Sequence, residues 1–170
     1  MAPGSTAKTG GCMCGAVRYE VRGQPFWVGH CHCVSCRAHT GAPVVTFAGF
    51  KKDQVTFTEG QRQIYKSSPG VGRGFCGHCG TPLTWEGKSN LPGRGEIFEF
   101  HISTLDEPEA FVPTSHFFYP ERIAWFDLAD DLPRYHGFDF DSDLCRQGPL
   151  DDDPLTETIG ARQSQHRGTT

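Results

Sequence analysis

Seven of the eight cysteines fall into three tight clusters, Cys12 with Cys14, Cys31 with Cys33 and Cys36, and Cys76 with Cys79, while Cys145 stands alone. Clusters this tight suit a metal ion better than a disulfide framework. Thiolates select soft or borderline ions such as zinc, and an oxidised scaffold needs no such spacing. A structural zinc takes four protein ligands in a tetrahedron, whereas a zinc that does chemistry keeps one position open. Ligand count therefore separates support from reaction.

Two of the clusters combine into a closed site. In an extended chain, residues i and i+2 point to one side, so Cys12 and Cys14 reach the same ion. The stretch FCGHCGTPL, residues 75 to 83, is a Cys-x-x-Cys-Gly knuckle. Its turn aims Cys76 and Cys79 together, with Gly77 or Gly80 able to take the positive φ such a turn needs. Cys12, Cys14, Cys76 and Cys79 thus read as a structural zinc site, leaving Cys31, Cys33 and Cys36 as a three-thiolate cup. Two alternatives stand beside this pairing. The cup could be completed by one of the other five cysteines, or closed by a histidine or Cys145 into a second structural site.

Three thiolates carry three negative charges, so a water bound at such a zinc is acidified less than at a neutral three-histidine site. A thiol entering the open position would lose its proton and stay nucleophilic. Arg37, directly after Cys36, is the nearest source of compensating positive charge. Disulfide switching by the cup cysteines is a further chemistry, open only when metal is lost. The run GVGRGF, residues 70 to 75, precedes a zinc knuckle instead of opening a helix, which argues against nicotinamide or flavin binding.

The elements that must hold these cysteines are short. Alternating or β-branched apolar runs at 16–21, 43–50, 54–68 and 96–103 read as strands, with a hairpin turn expected at Glu59 and Gly60. One helix of a turn or two is expected near Val34 to His39, ended by Gly41 and Pro43. With 21 Gly and 12 Pro breaking the chain, the expected fold is mainly β, antiparallel, with few short helical turns. Phe117, Phe118 and Tyr119 read as core, and the acidic run at 127–133 reads as a solvated surface segment.

The 170 residues suggest one domain at 10–149 between tails at 1–9 and 150–170. A net charge of -4 and a single adjacent basic pair, Lys51 with Lys52, argue against a nucleic-acid partner. No run approaches the ~20 apolar residues of a membrane span, and the start lacks a secretory pattern, so the expected location is cytoplasmic. Self-association is left open.

GGCMCGAVRYEV, CHCVSCRAHTGAP, YKSSPGVGRGFCGHCGTPLTW and PTSHFFYPERIAW, in that order, resemble the glutathione-dependent formaldehyde-activating enzyme family, which includes centromere-protein-V-like members. The likeness covers roughly residues 10 to 136. It implies coiled antiparallel sheets around zinc, the β-tent or Mss4-like fold. It also implies two zinc ions, a structural one at Cys12, Cys14, Cys76 and Cys79 and a catalytic one at Cys31, Cys33 and Cys36. The implied activity is a carbon–sulfur lyase joining glutathione to formaldehyde reversibly, as an S-(hydroxymethyl)glutathione synthase does. Its partners are then a small thiol co-substrate and a small electrophile. Around that chemistry Arg37, Ser67, Ser68, Arg73 and His116 are the candidate substrate-binding residues, with Arg73 and the Ser67–Ser68 rim facing a glutathione carboxylate. The competing class is a non-catalytic interaction module braced by two structural zinc ions.

Overall fold

The computed structural model describes residues 7–89 and 93–138. Cys145 and the expected C-terminal tail lie outside them. The chain is mainly β, with one α-helix and several single 3₁₀ turns. No helix among the described residues is long and apolar enough to cross a membrane. The described residues divide into two compact units, one from within 1–29 and 46–113 and the other from within 30–45 and 114–170.

In the first unit, β1 (Lys8–Gly11) begins inside the stretch expected as a tail and pairs antiparallel with β2 (Arg18–Val21). In β2 the alternation is explicit, since Tyr19 and Val21 are buried and Arg18 and Glu20 are not. β3 (Trp27–Cys31) leads the chain into the second unit and β4 (Val45–Lys51) brings it back. β5 (Val55–Glu59) then joins the other edge of β2 and completes a three-stranded sheet.

The expected hairpin at Glu59 and Gly60 is not present. β6 (Gln63–Ser68) leaves β5 and pairs instead with β7 (Val71–Phe75). Gly60 takes a left-handed φ of 61° with the Ala16 carbonyl where a Cβ would stand, and the chain turns away from β5 instead of folding back on it. Arg62 then seats over the rings of Phe57 and Phe98, 4.0 and 5.2 Å from their centroids, and ion-pairs with Glu86.

β8 (Pro82–Lys88) and β9 (Glu96–His101) complete the run β4-β9-β8-β7-β6, every pairing antiparallel. β9 is central, and every residue from Ile97 to His101 is buried, which resolves which face of EIFEFHIS is covered: both are. The core packs Tyr19 on Phe100 at 4.1 Å, with Phe50, Leu83 and Val21 around them. Side chains of this size each contribute ~1.5–3 kcal/mol on burial. The Tyr19 hydroxyl meets Thr104 Oγ1 at 2.7 Å, so its polar end is satisfied.

In the second unit, α1 (Val34–Thr40) covers the expected helix. Gly41, at φ 68°, donates its amide to the Arg37 carbonyl and ends it, as the left-handed C-cap requires. β10 (His116–Phe117) lies parallel to the end of β3, His116 opposite His30 and Phe117 opposite Cys31. This pairing is parallel, whereas β1 with β2, β2 with β5 and the run β4-β9-β8-β7-β6 pair antiparallel.

Candidate metal centres

The first unit gathers Cys12, Cys14, Cys76 and Cys79. Their sulfurs all lie within 4.8 Å of one another, Cys12 to Cys14 at 3.5 Å and Cys14 to Cys76 at 3.8 Å. A zinc tetrahedron with ~2.3 Å Zn–S bonds has edges of about 3.8 Å, so the four sulfurs fit the ion. Backbone amides support them, Val17 N–H to Cys12 Sγ at 3.2 Å and His78 N–H to Cys76 Sγ at 3.4 Å. Gly80, at φ 75°, supplies the knuckle's left-handed residue. His78 is exposed and outside the cluster.

The thiols of this cluster are shifted apart. The Thr81 hydroxyl, 3.0 Å from Cys79 Sγ, and the Thr81 amide hold the Cys79 thiol down to about 5. Cys14 has an Ala16 amide that favours its thiolate, yet the sulfurs of Cys79 and Cys12 push it up to about 12. One thiolate excludes its neighbours unless a cation joins them.

The second unit gathers Cys31, Cys33 and Cys36, again within 4.8 Å of one another. Cys31 ends β3, and Cys33 is the N-cap of α1, its sulfur accepting from the Cys36 amide at 3.3 Å. Strand end and helix start therefore converge on one point. The Cys31 thiol is pushed well above its ordinary value by the thiols of Cys33 and Cys36 and then by burial. Three sulfurs so placed suit a cation among them. No fourth Cys, His, Asp or Glu joins the group among the described residues.

The surroundings of the cup hold residues that sequence reasoning placed differently. Arg37 sends Nε to the His32 carbonyl and Nη2 to the Glu121 carbonyl, both at 2.8 Å, so it ties the cysteine loop to the distal segment. Glu121 Oε2 in turn accepts the Val34 amide at the start of α1, at 2.9 Å. His116 is fully buried, and both ring nitrogens are engaged within the protein. Nδ1 meets His32 Nε2 at 2.8 Å, and Nε2 faces both oxygens of Asp130 at 3.1 Å. Its ring is therefore held on both sides by other side chains of the protein.

Within the run 127–133, Asp127, Ala129 and Asp131 are exposed as expected, whereas Asp130 turns toward His116. Its carboxylate is partly buried, accepts from the Leu132 amide at 3.0 Å and ion-pairs with Arg134 at 3.3 Å. Tyr119 stands edge-on to His32 and His116 at 5.4 and 5.8 Å, and its hydroxyl donates to Asp127 at 2.7 Å. Phe118 turns the chain there with a left-handed φ of 53°, uncommon for a bulky residue. The imidazoles are held neutral: burial and then His116 lower His30 to about 4 and His32 to about 3. For His116 burial outweighs the Asp130 contact that favours its charged form.

The remaining candidates belong to the first unit. Arg73 is buried in β7 and donates from Nε to Ser67 Oγ at 3.2 Å, while Ser68 is exposed at the end of β6. The structure thus joins Arg73 with Ser67, and joins Arg37 and His116 with the cup. The contacts of Glu121, Asp130 and His32 around the cup are not among those the sequence predicts. The one signal for them is that His32, between two ligand cysteines, must point to the opposite face and need a partner there.

A crystal structure of a Rhodobacter sphaeroides protein is similar at 21% identity and a TM-score of 0.45, over 58% of this chain and 87% of that one. Comparison with curated proteins gives no significant match. The family described as glutathione-dependent formaldehyde-activating enzyme matches residues 7–121, more than half of the sequence, and the chain belongs to it.

Proposed function

We propose that the protein is a zinc-dependent carbon–sulfur lyase that adds glutathione, or a related small thiol, reversibly to formaldehyde or another small electrophile. The observation that carries the reading is the convergence of Cys31, Cys33 and Cys36 with no fourth ligand among the described residues. Zinc held there supplies Lewis acidity that lets a thiol ionise near neutral pH. The chain's own part is to hold three sulfurs in a fixed geometry. The Arg37 guanidinium and the Cys36 amide fix the loop against the charge gathered on it.

The reaction conserves every atom. The thiol gives up its proton, a sulfur electron pair forms the C–S bond, and the carbonyl π pair moves to oxygen and takes a proton. No oxidant or reductant enters. Four cysteines in the other unit serve as a structural zinc site.

The test is calorimetric titration of glutathione into reduced protein with its zinc counted, beside a Cys33→Ala variant. Saturable binding that the variant loses, with the four-cysteine zinc retained, supports the reading. NMR detection of S-(hydroxymethyl)glutathione forming faster than in the protein-free mixture then fixes the electrophile. A protein with both sites filled that binds neither glutathione nor other small thiols overturns it.

A further inference from the structure

We propose that Asp130, acting through His116 and His32, is a positioning residue that presets the geometry of the three-cysteine cup. His32 sits between Cys31 and Cys33, so any rotation of its backbone swings two of the three sulfurs. It is held at three points. Its amide donates to the Phe117 carbonyl at 3.0 Å, its carbonyl accepts from Arg37 at 2.8 Å, and its ring meets His116 at 2.8 Å. Neither imidazole reaches solvent, His32 and His116 both being 0% exposed.

The chain of contacts ends on a fixed charge. His116 is pinned by its backbone, which donates to Pro133 O and accepts from Tyr135 N, both at 2.8 Å. Its Nε2 stands 3.1 Å from each oxygen of Asp130. The carboxylate is itself set by the Leu132 amide and by Arg134, whose guanidinium also reaches the carbonyls of Leu128, Asp130 and Leu132.

An ionised carboxylate can only accept, so His116 must carry its proton on Nε2. Nδ1 is then a lone pair, and the proton on His32 must be at Nε2 to meet it. One charged group thereby fixes the tautomer and the ring orientation of two histidines, as carboxylates do one step out from metal-binding histidines. The arrangement leaves His32 Nδ1, buried and without a hydrogen-bond partner, as an acceptor and not as an orphaned N–H.

His30 also packs its ring 4.8 Å from that of His116, and the ligand atoms of His30, His116 and Asp130 lie within 4.8 Å of one another. The same carboxylate could therefore serve a third metal ion. The bonded chain to His32 favours support of the cup instead, because a metal on His116 Nε2 would force a proton onto Nδ1 and leave His32 with a buried, unpartnered N–H.

The value of the device for thiol addition rests on the reading above, but the grip on the cup does not. The test measures zinc and cobalt affinity by competition with a chromophoric chelator, on the full chain, for Asp130→Ala, Asp130→Asn and His32→Asn. Asp130→Ala should weaken binding at the cup by about 10–100-fold, the usual effect of losing an outer support. It should also shift the cobalt–thiolate absorption of that site while leaving the four-cysteine site unchanged. Asp130→Asn, whose amide oxygen still accepts from His116, should recover most of the loss. Should Asp130→Ala fail to fold, His32→Asn keeps the backbone bonds, removes the ring link and should show the same selective loss.

Unchanged cup affinity in the folded variants overturns the proposal. So does a third bound metal in the wild type that Asp130→Ala loses, which would make Asp130 a ligand. Glutathione titrations on the same samples separate the two readings, since selective loss of cup affinity in a protein that binds no thiol would retain the positioning role and remove the lyase.

Discussion

Cys14 and Cys76 lie 62 residues apart in the chain and 3.8 Å apart at their sulfurs. A zinc ion across them, Cys12 and Cys79 would pin the β1–β2 sheet to the knuckle before β8 and close a long loop of chain. Replacing Cys76 by Ser should remove one zinc per chain. It should cost about 3 kcal/mol or more, the scale of losing a native covalent cross-link. Urea denaturation paired with metal counting checks this; a variant of unchanged midpoint that still holds its full zinc would show that the cluster does not brace the fold.

Gly49 marks where packing forbids a side chain. A Cβ built there runs into the indole of Trp27, with the Phe26 ring 2.8 Å away. Gly49→Ala should therefore destabilise the protein by about 1–3 kcal/mol through overpacking while leaving metal content intact. The urea midpoint reads the cost, and tryptophan fluorescence reads the displaced indole.

How much of this was legible in the residues varies with the range of the interaction. The cysteine spacings reveal their grouping because ligand geometry is local, and β2 or β9 shows itself through apolar alternation. The turn at Glu59 and Gly60 misleads for the converse reason. A left-handed glycine permits a reversal, but β5 finds its partner in β2, some forty residues earlier, and no local signal carries that choice. Asp130 hides in an acidic run whose composition says solvent. Only the fold reveals that one of its carboxylates meets a buried imidazole, and likewise that the Glu121 side chain meets the first amide of α1.

Arg62 should resist conservative exchange. Its guanidinium covers the Phe57 ring at 4.0 Å and meets both oxygens of Glu86, with Nη2 to Oε2 at 2.7 Å. A lysine cannot match that planar fork or stack as well. Arg62→Lys is expected to cost about 1 kcal/mol, within the range of a partly desolvated cation–π contact. Equal urea midpoints for the two proteins would mean that the contact is dispensable.

Asp106 gives a pH dependence whose sign is defined. Hydrogen bonds from Arg18 and Thr9 hold its carboxyl below the ordinary carboxylate value. Its contribution is therefore present above the unfolded pKa, near ~4, and is lost as pH falls through the lower folded value. The pair is partly exposed, so the effect stays below about 1 kcal/mol and shrinks with salt. The stability difference between wild type and Asp106→Asn, taken at each pH so that shared changes cancel, should narrow on acidification below about pH 4. A difference that widens there would reverse the assignment.

Arg37 links the cup to the segment that supports it, so its removal should be felt at the metal before it is felt in the fold. Its guanidinium bonds to the carbonyls of His32 and Glu121, and hydrogen bonds from a charged donor are each worth about 1.5–3 kcal/mol. Arg37→Ala frees the His32 carbonyl and with it the spacing of Cys31 and Cys33, while the four-cysteine site in the other unit keeps all its contacts. Cup affinity for zinc and affinity for glutathione should fall together in that variant. Arg37→Lys should restore only part of both, because one ammonium cannot reach two carbonyls in the fork's geometry. Parallel zinc competition and glutathione titration decide the matter: thiol affinity lost at constant cup metal would make Arg37 a direct ligand for the thiol, and joint loss makes it the tie that holds the sulfurs in place.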